Sequence, residues 1–181
     1  SGGYYVSCGA TRIVANPGTL TGSIGVIMNF LHFEELMNKI GVDETTVKSG
    51  KLKDAGSPFR KLTDEEEKYF NYLVGDVYNQ FVDVVVQERK LPRQKVLQNA
   101  DGRVFTGKQA YAIGFVDTLG TFEDAISIAS DLSGIVGKPN VVKEKKRISF
   151  LERVMGDAAS EVSRLQNKIL DQPILQYKFI P

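Results

Sequence analysis

Arg12-Ile13-Val14-Ala15-Asn16-Pro17-Gly18, followed closely by Thr21-Gly22-Ser23-Ile24-Gly25-Val26-Ile27-Met28, is the stretch that decides the fold class. In the first block a β-branched pair runs into Asn-Pro-Gly turn chemistry, the mark of a short strand. The second reads as a buried strand interrupted by glycines. Working outward, Gly2 to Ala10 is small and apolar and predicts a helix with Ser1 at its start. Phe33 to Ile40 has apolar residues at helical spacing and stops at Gly41. Thr45-Thr46-Val47-Lys48 predicts a strand leading into a lysine-rich loop. Thr63-Asp64-Glu65-Glu66 places a capping hydroxyl three residues before a glutamate, so the longest helix should open there. It should run towards Arg89 with Phe70, Leu73, Val77, Phe81 and Val84 as its inward stripe. Pro92 to Asn99 reads as a shorter helix, Asp101 to Gly107 as a turn and strand, and Lys108 to Ile113 as a helix. Phe115-Val116-Asp117 reads as a short strand and Phe122 to Leu132 as a further helix. Strands alternating with helices in this way imply a layered α/β domain with a mostly parallel sheet.

The chain has 181 residues, 42% hydrophobic and 25% charged, enough to bury a core in one domain. Its 23 basic and 22 acidic residues leave a net charge of +1. Without a basic stripe there is no electrostatic footprint for nucleic acid, which is excluded as a partner. A single cysteine, Cys8, forms no internal disulfide and reads as a small buried packing residue. No apolar run of about 18 residues could span a bilayer. The chain starts without an initiator methionine, as a piece of something longer would. The composition changes at Lys143-Glu144-Lys145-Lys146-Arg147, a charge run that reads as a solvated strand end. We therefore divide the chain into a domain over 1–142 and a segment over 143–181. In the latter, Phe150 to Leu170 has the period of an amphipathic helix, and the apolar tail from Pro173 to Pro181 asks for a partner surface, as in subunit contact.

The chemistry centres on Ser1-Gly2-Gly3-Tyr4-Tyr5 and on Lys48-Ser49-Gly50-Lys51-Leu52-Lys53-Asp54. A serine hydroxyl becomes nucleophilic when a base takes its proton, and the usual agents are histidine and neutral lysine. Glycines after the serine let the backbone turn tightly, and the Gly2 N–H is the natural oxyanion donor. Against this stands the plain alternative of a flexible terminal glycine turn, which Tyr4-Tyr5 and the apolar helix disfavour. A lysine base must lose its proton far below its ordinary pKa of about 10.4, which burial can achieve. Lys48, Lys51 and Lys53 are all candidates, with solvated surface lysines as the bland alternative, and the residues alone do not choose among them. His32, between Leu31 and Phe33, reads as a capping or packing residue rather than the base of a Ser-His-Asp triad. No zinc-ligand spacing and no Gly-rich phosphate loop is present, so no metal or other cofactor is expected.

Five ordered blocks together carry a family resemblance: Ser1 to Tyr5; Ile13 to Pro17; Thr19 to Val26; Lys48 to Asp54 with Ser57-Pro58; and Asp101 to Gly107 through Gly114 to Asp117. Over about residues 1 to 135 the chain resembles the signal peptide peptidase A family of serine proteases. The resemblance implies a Clp-protease-like (crotonase-type) α/β fold lacking its first strands, and a Ser-Lys dyad with Ser1 as nucleophile and Lys53 as base. Ser23 would hydrogen-bond the lysine without forcing it to stay charged, as a carboxylate would. It further implies peptide substrates such as released signal peptides, and homo-oligomers in which serine and lysine come from neighbouring units. The implied location is the extracytoplasmic side of the bacterial cytoplasmic membrane, held by an anchor absent from this chain. An upstream glycine loop supplying a second oxyanion donor is also absent, so the fragment alone should be weakly active or inactive. Two other readings stand beside this one. Ser1 could be the true terminus of an N-terminal-nucleophile hydrolase whose α-amino group is the base, or the fold could serve as a non-catalytic assembly module.

Overall fold

The computed structural model describes residues 1–142; the charge run from Lys143, the amphipathic stretch from Phe150 and the apolar tail lie outside them. In chain order the elements are α1 (Gly2–Cys8), β1 (Val14–Ala15), β2 (Leu20–Gly22), α2 (Glu34–Ile40), α3 (Asp64–Arg89), α4 (Arg93–Leu97), β3 (Val104–Thr106), α5 (Gly107–Ile113), β4 (Thr118–Leu119) and α6 (Phe122–Leu132). Residues 1–125 form one compact unit, and 126–142 belong to a second.

Two glycines and a valine give α1 weak intrinsic helicity, so its position depends on packing. The Tyr4 hydroxyl donates to the Phe115 carbonyl oxygen at 2.9 Å, and the two rings stand 5.7 Å apart. Tyr5 meets Phe81 of α3 edge to face at 5.1 Å. Cys8 is fully buried, as its small neighbours imply. The core beneath joins Ile13, Ile24, Phe81, Val82, Val85, Val96, Phe105, Ala110 and Phe115.

The mixed α/β reading holds, but the expected sheet is reduced to two separate pairs. β1 and β4 run parallel, with Val14 opposite Thr118, whereas β2 and β3 are antiparallel, with Gly22 opposite Val104. The strand anticipated through Met28 ends at Gly22 because Gly22 and Ser23 both adopt left-handed φ values, 82° and 50°. Thr45–Lys48 forms no strand, and Val47 is 96% exposed. The last pairing begins at Thr118 rather than Phe115, since the N–H groups of Phe115 and Val116 both bond the Ala110 carbonyl and close α5 around Gly114. α3 starts at the capping box as anticipated, with Thr63 and Glu66 each bonding the other's backbone. Its buried face, however, is Glu66, Phe81, Val82 and Val85, because the C-terminal half is the part that packs against α1 and α4.

Asp117 ties three segments together. Its carboxylate accepts the Ile13 N–H at 2.7 Å and pairs with Arg89 of α3 at 3.2 Å, which fixes β1 to the end of the long helix. At the other end of β1, Gly107 brings α5 against the Asn16-Pro17 turn so closely that a Cβ there would overlap the Asn16 carbonyl oxygen. Gly107→Ala should therefore destabilise the protein by about 1–3 kcal/mol through forced backbone movement. Urea denaturation checks this, and a variant as stable as the parent would contradict the close approach.

Candidate active site

Ser1 is the N-cap of α1, half-buried, and its side chain makes no capping hydrogen bond. Its carbonyl accepts the Tyr5 N–H at 3.0 Å, so the backbone already belongs to the helix while the hydroxyl stays available. The Gly2 N–H lies in the first turn, where backbone donors have no intrahelical acceptor. Through Tyr4 and Tyr5 this end of the molecule is seated on Phe115 and Phe81.

Ser23 follows β2, and β2 packs against α1. A non-glycine residue at φ 50° is costly unless its surroundings impose it. Here the Ser23 N–H bonds the Arg103 carbonyl at 2.9 Å, and the Ile24 carbonyl accepts the Gly102 N–H at the same distance. Gly22 is required before it, since a Cβ at φ 82° would come within 2.7 Å of the Phe105 ring.

The lysine loop is held in a frame of its own. Successive short-range turns bond Lys53 N–H to Gly50, Ala55 N–H to Leu52 and Ser57 N–H to Asp54. Gly56 has φ 80° and lies under Phe30, which stacks on Phe70 of α3 at 4.5 Å. The Phe33 N–H bonds the Pro58 carbonyl, and His32 Nδ1 lies 3.0 Å from the Arg60 carbonyl oxygen. His32 is thus an exposed loop residue tied to backbone.

The three candidate lysines differ in their partners. Lys48 pairs with Asp54, and Lys51 pairs with Glu65. Lys53 is exposed and has no ion pair or side-chain hydrogen bond among the described residues. No hydrogen bond among those residues joins Ser1, Ser23 and Lys53 to one another. The helix that opens at Ser1 and the lysine loop have different anchors. Ser1's helix leans on Phe81, whereas the lysine loop is pinned at Glu66, fifteen positions earlier on the same helix. At about 1.5 Å rise per residue these anchors stand roughly 22 Å apart along α3.

Sequence reasoning missed the residue that does the pinning. Arg60 sends Nη1 and Nη2 to the two oxygens of Glu66, Nε to Asp54 Oδ2 at 3.1 Å and Nη2 to the Asp54 carbonyl at 3.2 Å. Arg60 holds the Glu66 carboxyl down at about 2, and Lys48 with Arg60 lowers that of Asp54. Glu66 read only as half of a capping box, and nothing local in the sequence marked Arg60 as its partner. Two cavities, of about 220 and 410 Å³, flank this network, and neither is lined by Ser1, Ser23 or Lys53. Elsewhere, burial pushes the Cys8 thiol up to about 11, which removes it as a thiolate nucleophile. Among the described residues no group of three His, Cys, Asp or Glu side chains could hold a metal. No helix among them is long and apolar enough to cross a membrane.

Comparison with known proteins adds an independent line. Residues 1–136 match the model of peptidase family S49. A Synechocystis protein named "Putative protease slr0021" is 47% identical over 135 residues, 75% of this chain and 49% of that protein. "Putative signal peptide peptidase SppA" of Enterococcus faecium is 36% identical over 174 residues, 96% of this chain and 51% of its own length. "Serine protease SPPA, chloroplastic" of Arabidopsis thaliana is 38% identical over 136 residues, covering 75% and 20% respectively. The chain thus spans about half the length of the first two relatives or less of the third.

Glu66→Gln tests the ion pair. The Glu66 carboxyl titrates lower in the folded protein than in the unfolded chain, so its stabilisation is complete above about pH 5 and is lost as pH falls towards 2. The variant should be less stable than the parent at pH 7 by about 1–3 kcal/mol, the gap narrowing towards pH 2.5. A gap independent of pH in denaturant titrations would contradict the pairing.

Proposed function

The chain belongs to peptidase family S49, and on that premise we propose that it carries the nucleophile and base of a Ser-Lys serine endopeptidase with a Clp-protease-like fold. The observation that carries this reading is the state of the lysine loop. Lys48 and Lys51 are each engaged by a carboxylate, whereas Lys53 has no such partner among the described residues, which leaves its amine free to meet another group. Asp54 follows Lys53 in the chain, yet its oxygens are taken by Lys48 and Arg60.

Neutral Lys53 removes the Ser1 hydroxyl proton as Oγ attacks the scissile carbonyl carbon. The resulting oxyanion accepts the Gly2 N–H, and the protonated lysine returns its proton to the leaving amine. Water, deprotonated by the same amine, then hydrolyses the acyl-serine. Ser23 orients the amine through its hydroxyl, which adds no negative charge. Because the anchors of Ser1 and Lys53 lie far apart on α3, the working pair forms between neighbouring copies, and that contact also supplies the desolvation an exposed lysine lacks. The substrates are extended apolar peptides such as released signal peptides, processed at the extracytoplasmic face of a bacterial membrane. Val6 on α1 and Leu20 on β2, exposed by 77% and 74%, give the elements beside Ser1 and Ser23 an apolar surface for them.

The reading is tested in the full-length protein with an apolar peptide substrate. Ser1→Ala and Lys53→Ala should each reduce kcat by roughly 10³-fold or more while far-UV circular dichroism stays unchanged. Retained peptidase activity in Lys53→Ala would overturn the dyad.

A further inference from the structure

We infer that Arg60 is a positioning residue for the lysine base: it fixes the turn that carries Lys53 and keeps the Asp54 carboxylate away from the Lys53 amine. This rests on the Ser1–Lys53 reading.

The geometry gives Arg60 two separate tasks. Its fork reaches across from the loop to Glu66, whose side chain is only 3% exposed at the start of α3, so the loop is bolted to a rigid element. A bidentate guanidinium–carboxylate pair fixes orientation as well as distance. Glu66 is itself fixed, since Oε2 also accepts the Thr63 N–H at 2.9 Å in the capping box. The same guanidinium holds Asp54 by its carboxylate and its backbone carbonyl. The carbonyl also accepts the Ser57 N–H at 3.0 Å, so one arginine clamps the turn immediately after Lys53.

The second task is electrostatic. Asp54 is adjacent to Lys53 in the chain, and a carboxylate free to reach the amine would keep it protonated at neutral pH. With Lys48 on Oδ1 and Arg60 on Oδ2, that carboxylate is occupied, and its side chain is 14% exposed. The charged groups around the turn are Lys48, Lys51, Asp54, Arg60 and Lys61 on the loop, Glu65 and Glu66 on α3, and Glu35 on α2 beside Lys61. Glu65 is engaged by Lys51 and Glu66 by Arg60, which leaves Asp54 as the carboxylate whose release matters most.

The test uses the full-length enzyme and the pH dependence of kcat/KM, whose acid limb reports the free enzyme's base. Arg60→Gln should lower kcat/KM at pH 7 at least tenfold and move the acid limb to higher pH by roughly half a unit or more, as Asp54 turns to Lys53. Adding Asp54→Asn should return the limb to its parental position. Arg60→Gln leaves the Glu66 charge buried without its partner, so Arg60→Gln/Glu66→Gln serves where the single variant does not fold. Val96→Ala, a cavity in the core at α4, provides a folded control of reduced stability. An unmoved acid limb, with activity loss no greater than the control shows at equal melting temperature, would make Arg60 merely structural and overturn the inference. Lys53→Ala run in parallel separates the two failures: if it stays active, the dyad reading fails first and the inference with it.

Discussion

The ion pair between Arg60 and Glu66 is the constraint from which the candidate site takes its form. It joins a loop with little apolar burial to the first turn of the longest helix, and it does so at a carboxylate that is nearly inaccessible to water. α3 then acts as a bar with a candidate site element attached at each end. The lysine loop sits at Glu66, while the helix that opens at Ser1 rests on Phe81 and β1 is tied by Asp117 to Arg89. A long helix is stiff over this span and holds its two anchor points apart; under the proposed Ser-Lys reading, that spacing is what assigns the pair to neighbouring copies.

Different physical means hold the two ends. The serine end is seated by aromatic burial and one tyrosine hydrogen bond, which suits a short glycine-bearing helix that could not persist alone. The lysine end is held by charge, with the Phe30–Phe70 stack over Gly56 as its apolar footing. Between them, Ser23 occupies a strained backbone position imposed by the 101–103 turn. Strain kept in place by surrounding bonds is a common property of functional residues.

Much of this was legible in the sequence, for identifiable reasons. The capping box at Thr63, the Gly41 stop and the helix from Phe122 are local signals, and they appear where local chemistry places them. The strand through Met28 was not legible, because the break at Gly22-Ser23 is enforced by Phe105 and Arg103, some eighty residues away. Thr45–Lys48 has strand composition but finds no ladder partner among the described residues, and propensity does not make a strand without one. At the site, the blocks around Ser1, Ser23 and Lys53 stood out as motifs. Arg60 did not, since an arginine in a polar loop carries no signal until its two carboxylates are seen to converge on it.

The central claim, a Ser-Lys pair completed between copies, is tested most directly by subunit complementation. Ser1→Ala and Lys53→Ala full-length proteins, each inactive alone, would be co-assembled after dissociation, with mixed oligomers verified by native mass spectrometry. Peptidase activity well above either parent is the predicted result, because some sites then unite an intact Ser1 from one copy with an intact Lys53 from its neighbour. Verified mixed oligomers as inactive as the parents would contradict a dyad shared between copies.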